Sequence, residues 1–190
     1  MSETISALAG ARSSGLVEVT EAGLQGMITI RGDLADPNII GGIKSAVKAI
    51  VPAPRQSTRV GSDILLWMSP DELMLLCPYG ETGARIGVLS EALKTHHYLI
   101  ANVSDARAQF TLSGDGAAIR EVLAKLSPAD MRSTTLPVGE VRRTRLAQAA
   151  TAFWFESKDQ AQVVCFRSVA KYVFDLLKVS SASGSSVGYF

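Results

Sequence analysis

A chain of 190 residues, 47% apolar and 19% charged, can bury a core without disulfide or metal staples. Its net charge of +1 excludes a broad electrostatic footprint for nucleic acid or an acidic membrane. Mean hydropathy is +0.19, high for a lone soluble chain, yet no apolar run approaches the ~20 residues that span a bilayer. The excess therefore belongs to a core or to a surface that a partner covers.

Residues 1–22 are rich in Ser, Ala and Gly and poor in large apolar groups. They read as an N-terminal arm, either mobile or laid against something else. Met1 to Leu16 shows no basic region followed by an apolar run, so no secretory leader is expected. Gly26 to Arg31 alternates like a half-buried strand, and Gly32-Asp33 breaks it. Asp36 followed by Pro37 predicts a helix start. Ile39, Ile40, Ile43, Val47 and Ile50 recur at helical spacing up to Pro52. The Gly41-Gly42 pair weakens this helix by about 1 kcal/mol per glycine, so either it is irregular there or another backbone approaches it closely. Residues 53–62 read as a polar loop. Ile64 to Met68 and Leu73 to Cys77 predict a hairpin around Ser69-Pro70-Asp71-Glu72. Ile86, Leu89, Ser90 and Leu93 mark a second helix ending near His96-His97, and Tyr98 to Val103 a further strand.

The second half follows the same order. Gln109 to Leu112 is a strand, with a Gly114-Asp115 corner after it. Ile119, Val122, Leu123 and Leu126 line a helix that Pro128 closes. Val141 to Gln148 is a strand, and Thr151 to Phe155 with Gln162 to Phe166 a hairpin. Val169, Val173, Phe174, Leu176 and Leu177 mark the last helix, and residues 180–190 read as a flexible Ser/Gly-rich tail.

These landmarks repeat. Gly32-Asp33 and Gly114-Asp115 end comparable strands, Asp71 and Asp159 sit in comparable hairpin turns, and Trp67 with Trp154 and Cys77 with Cys165 hold comparable places. The pattern predicts an α+β fold of two pseudo-repeated split βαβ, ferredoxin-like units, each a sheet with helices on one face. The boundaries follow: an arm at 1–22, one compact domain at 23–179 made of repeats at about 23–103 and 104–179, and the tail at 180–190.

Catalytic constellations are missing from the sequence. Cys77 and Cys165 each lie in an apolar run and read as small buried hydrophobes, which favours a reducing cytoplasm. His96 and His97 are the only histidines; adjacent on a helix they diverge by about 100°, which suits a helix C-terminus better than a shared ion. No spacing fits zinc, a phosphate loop or a nucleophile elbow. Asp33 and Asp115 read as capping carboxylates rather than general bases. Arg142, Arg143 and Arg145 form the densest basic cluster. They read as a solvated edge strand, the sharper alternative being a subunit interface.

Met68 to Leu76, Asn102 to Arg107, Leu112 to Ala117, and Leu136 to Gly139 ahead of Thr144 to Gln148 resemble, in order, the gamma subunit of heterotetrameric sarcosine oxidase. That resemblance implies a fold similar to the folate-binding part of aminomethyltransferases. It implies a complex that converts sarcosine, tetrahydrofolate and O2 to glycine, 5,10-methylenetetrahydrofolate and H2O2. It implies no catalytic, cofactor or metal residue on this chain; FAD, FMN, NAD, zinc and tetrahydrofolate would lie on partner subunits, chiefly the large folate-binding one for docking. A cytoplasmic location follows, with no nucleic acid or membrane partner. The alternatives are a free-standing tetrahydrofolate-binding aminomethyltransferase-like protein, or a small-molecule sensor built of paired ferredoxin-like units.

Overall fold

The computed structural model of the chain describes residues 4–190. In chain order the elements are β1 (Arg12–Ser14), β2 (Glu18–Glu21), β3 (Gln25–Gly32), α1 (Pro37–Val47), β4 (Ser57–Val60), β5 (Asp63–Ser69), β6 (Glu72–Pro78), α2 (Thr82–Leu93), β7 (Tyr98–Asn102), β8 (Arg107–Ser113), α3 (Gly116–Ala124), β9 (Val141–Leu146), β10 (Ala149–Ser157), β11 (Gln160–Phe166) and α4 (Ala170–Ser180). Two units result, one of residues 25–104 and one of 105–190 together with the N-terminal segment up to Leu24.

In the 25–104 unit the sheet runs β4-β5-β6-β3-β7, with every neighbour antiparallel. Setting β4 aside, the chain path β3-α1-β5-β6-α2-β7 is the split βαβ arrangement. Ile39 and Ile43 from α1 and Leu89 and Leu93 from α2 pack with Ile28, Ile30, Leu65, Leu73, Leu75 and Cys77 from the sheet. The alternate residues Met27, Leu66, Met74 and Leu76 are also buried. Both alternate sets of β6 residues are thus buried, which explains why the strand reads as a continuous apolar run. The loop expected at 53–62 contains β4, whose Ser57, Thr58 and Arg59 carry too little apolar signal to mark a strand.

α1 begins as the sequence predicts. The Asp36 carboxylate accepts from the Asn38 amide at 2.8 Å, Pro37 fills the first turn, and Lys48 closes the helix in the left-handed region at φ 54°. Gly42 faces α2: a Cβ there would lie 2.8 Å from Leu93 and 3.1 Å from the Ala92 carbonyl. The glycine permits the helix–helix approach.

The second unit's sheet runs β1-β2-β8-β11-β10-β9, again antiparallel throughout. Ile119, Val122 and Leu123 of α3 and Val173, Phe174 and Leu177 of α4 cover Phe110, Leu112, Phe153, Phe155 and Val163. Of the two outcomes open to the N-terminal arm, mobile or laid against something else, the structure shows the second. The segment set apart as an arm supplies two strands, and β2 sits beside β8 where β7 sits beside β3. Val17 and Val19 bury fully in this unit's core. Glu21, also buried, accepts from the Ser6 hydroxyl at 2.8 Å and from the amides of Leu8 at 3.0 Å and Gly10 at 2.6 Å. A desolvated carboxylate surrounded by donors ties down a stretch too apolar-poor to hold itself.

The tail is also tied. The Glu121 carboxylate, 5% exposed, accepts from the amides of Val187 at 2.6 Å and Gly188 at 2.8 Å. Lys125 donates to the carbonyls of Ser180 at 3.1 Å and Ser185 at 2.7 Å.

Candidate functional site

The residues whose chemistry invited attention fall into separate places. Cys77 in β6 and Cys165 in β11 are both buried free thiols. Desolvation pushes Cys77 up to about 11, with Asp63 adding to it, and pushes Cys165 up to about 12. Neither is a ready thiolate. His96 lies 3.2 Å from the Thr95 hydroxyl through Nδ1. Among the described residues no cluster of three His, Cys, Asp or Glu could hold a metal ion.

The corner aspartates divide. Asp115 is the N-cap of α3, its carboxylate accepting from the amides of Ala117 at 3.0 Å and Ala118 at 3.1 Å. Asp33 accepts from Ala35 at 2.9 Å and so closes the turn ahead of α1, whose cap is Asp36. In the first hairpin turn Asp71 accepts from Ser69 at 2.6 Å and pairs with Arg31. In the second, the Ser157 hydroxyl accepts from the Asp159 amide at 3.2 Å.

The arginine cluster lies on β9, the outer strand of its sheet. Arg142 turns inward: it pairs with Glu140 at 2.7 Å and donates to the Thr135 carbonyl at 2.8 Å. Arg143 and Arg145 share the opposite face and are exposed. The pattern therefore does not present three equivalent cations; it presents two, beside a third that holds the 135–140 loop.

Two buried charged residues of α3 escaped the sequence reading. Arg120 lies with its guanidinium 4.1 Å from the centre of the Phe155 ring and donates to the carbonyls of Met131 at 2.6 Å and Leu136 at 3.1 Å. Burial pulls its pKa below the usual arginine value. Glu121 is the tail anchor. Its spacing to Lys125, four residues on, was the only available signal, and the two pair at 3.2 Å.

Two of the open depressions among the described residues gather side chains already named. One, of about 640 Å³, is lined by Arg31, Asp33, Asp71, His97 and Leu99 in the 25–104 unit. The other, of about 400 Å³, is lined by Glu121, Lys125, Met131, Tyr189 and Phe190 in the second unit. The first gathers ionisable side chains around an exposed ion pair; the second is mostly apolar and holds the chain's own end.

A sequence model described as the sarcosine oxidase, gamma subunit family matches residues 31–183. The chain belongs to that family. Membership assigns this gamma subunit homologue to a sarcosine oxidase assembly, an oxidoreductase. No curated protein matches its sequence. The fold of the gamma subunit family member is similar to that of a chain in heterotetrameric sarcosine oxidase from Corynebacterium sp. U-96, with a TM-score of 0.80, 22% identity, 94% of this chain covered and 91% of that one. It is also similar to the glycine cleavage system aminomethyltransferase T from Bartonella henselae, at a TM-score of 0.59 and 15% identity. The alignment covers 83% of this chain and 44% of that one, so the gamma subunit fold corresponds to less than half of the transferase. A third likeness is to the regulatory subunit of aspartate kinase from Thermus thermophilus, at a TM-score of 0.50 and 13% identity, covering 90% and 99% of the two chains. The expected α+β fold is the one observed, with two antiparallel sheets and the aminomethyltransferase likeness. Among the described residues no helix is long and apolar enough to cross a membrane.

Proposed function

We propose that this chain is the non-catalytic, structural gamma subunit of a heterotetrameric sarcosine oxidase. The assembly converts sarcosine, tetrahydrofolate and O2 to glycine, 5,10-methylenetetrahydrofolate and H2O2. The family match across residues 31–183 carries the reading. The chemistry of the side chains supports it: the thiols are buried and protonated, the corner aspartates cap backbone, and Arg142 is committed to a loop. In this reading FAD, FMN, NAD, zinc and tetrahydrofolate are held by the partner subunits in the cytoplasm. The chain contributes packing, docking chiefly on the large folate-binding subunit through buried apolar area with arginines at the contact. Arg143 and Arg145 on β9 suit such a contact, with Arg142 fixing the strand beside them.

Co-expression of the tagged chain with the other oxidase subunits tests the proposal. A flavin-bearing assembly that co-purifies in fixed stoichiometry is the expected result. A chain that stays monomeric and never brings down a flavoprotein overturns it. Stoichiometric tetrahydrofolate binding by the chain alone would instead select the aminomethyltransferase-like reading.

A further inference from the structure

The two units solve one problem differently. In the second unit β2 flanks β8, and β1 then covers the outer edge of β2, with Arg12, Ser13 and Ser14 opposite Thr20, Val19 and Glu18. In the 25–104 unit β7 flanks β3 in the equivalent place, and among the described residues no strand lies beyond it.

Register shows which main-chain groups this leaves open. The Val103 amide donates to the Met27 carbonyl at 2.9 Å. Bonded pairs alternate along an antiparallel ladder, so Ala101 and Leu99 bond to β3, while Tyr98, Ile100 and Asn102 turn their N–H and C=O groups outward. The same alternation holds in the second unit, where the partners are present. Ala22 donates to Gln109 on the inner side at 2.9 Å. On the outer side Glu21 donates to Ala11 at 2.9 Å and the Val17 carbonyl accepts from Gly15 at 3.2 Å. Val17, Val19 and Glu21 thus correspond to Tyr98, Ile100 and Asn102.

Edge strands are usually guarded by charge. β1 carries Arg12, β4 carries Arg59, and β9 carries Arg142, Arg143 and Arg145. β7, Tyr-Leu-Ile-Ala-Asn, carries no charged residue and no proline, and Leu99 stands 53% exposed. Leu99 is paired in register with Arg31, and both line the 640 Å³ depression that also holds Asp71 and His97.

We propose that the open edge of β7 receives an extended, antiparallel segment of another sarcosine oxidase subunit, as β1 is received by β2. The segment bonds to the main chain of Tyr98, Ile100 and Asn102. Its side chains on the Leu99 face enter the Arg31–Asp71 depression. Main-chain bonds give such a contact its affinity, and the depression gives it selectivity. The identity of the occupant rests on the gamma-subunit reading; the vacancy of the edge does not.

Hydrogen exchange on the wild-type chain, alone and in the co-expressed complex, reads this directly. The amides of Tyr98, Ile100 and Asn102 should slow by roughly tenfold or more in the complex. Leu99 and Ala101, already bonded in the sheet, serve as the internal reference. Ile100→Pro removes an outward N–H that β3 does not use, and Leu99→Lys places a charge on the bare edge. Each should lower the yield of complex relative to free chain by several-fold. If the complex assembles and these three amides exchange as fast as in the free chain, strand addition is wrong and the gamma-subunit reading survives. If no flavoprotein assembles with the wild-type chain, both fall. Protection that rises with the concentration of the chain alone, with a doubled mass, assigns the edge to a second copy and overturns the proposal.

Discussion

The Gly114 amide donates to the Asp159 carbonyl at 3.1 Å, and Gly32 makes the same bond to Asp71 at the same length. In each repeat the bond joins the end of the leading strand, β3 in one and β8 in the other, to the tip of the hairpin. It fixes the strand end against the turn just ahead of the first helix. Two such bonds between matched landmarks are what a duplicated unit requires. The family match places that duplicated unit in a sarcosine oxidase.

Adjacent glycines of α1 should respond to alanine in opposite directions. At Gly41 a Cβ meets nothing within 4 Å, so Gly41→Ala should stabilise the fold by about 1 kcal/mol through helix propensity alone. At Gly42 the Cβ would press on Leu93 and the Ala92 carbonyl at 2.8 and 3.1 Å. Gly42→Ala should therefore cost about 1–3 kcal/mol as α1 and α2 are forced apart. Urea unfolding of both variants checks the pair; two changes of the same sign would refute the account of the helix crossing.

The two corner aspartates should be unequal. Asp115→Ala removes two charge-assisted bonds to the first turn of α3 and should cost about 1 kcal/mol. Asp33 holds a single turn amide outside a helix, so Asp33→Ala should stay within about 0.5 kcal/mol. Thermal melts of the two variants side by side would show it, and equal losses would contradict the assignment of Asp36 as the cap of α1.

The landmarks legible in the sequence were those with strong local chemistry. Asp36-Pro37 announced α1, and the Ser69-Pro70-Asp71-Glu72 turn announced the β5–β6 hairpin. β1, β2 and β4 were not legible, because strands of three or four residues leave no room for periodicity to accumulate. Glu18 and Glu21 also mask the Val17–Val19 alternation, since Glu21 is buried for a reason no local pattern expresses: it gathers donors 11 to 15 residues away. Arg142 failed as a surface cation for a similar reason. Its partner Glu140 was visible two residues before it, but the Thr135 carbonyl becomes a partner only once the 135–140 loop folds back.

The thiols offer a test of core integrity. With Cys77 raised to about 11 and Cys165 to about 12, neither should react with a thiol reagent at about pH 8 in the folded chain. Both should label once denaturant opens the sheets. Mass spectrometry before and after unfolding reads the count, and rapid native labelling of either would show that its sheet opens locally.

Glu121 should govern the tail in a pH-dependent way. The Val187 amide above all, with those of Gly188 and the Lys125 ammonium, lowers its carboxyl from 4.5 to about 2 against the opposing effect of desolvation. A depressed carboxyl stabilises the folded form fully above its unfolded value and loses that contribution as pH falls through its folded one. The latch should therefore be complete at neutral pH, weaken only below about 4.5, and be gone near 2. The amide resonances of Val187 and Gly188 should stay fixed from pH 7 to 5 and then move with a midpoint near 2. Glu121→Gln keeps the shape but removes the charge from bonds that draw their strength from it. Its tail amides should sit at released positions already at neutral pH, whereas a wild-type midpoint near 4.5 would mean that the carboxylate does not hold the chain end at all.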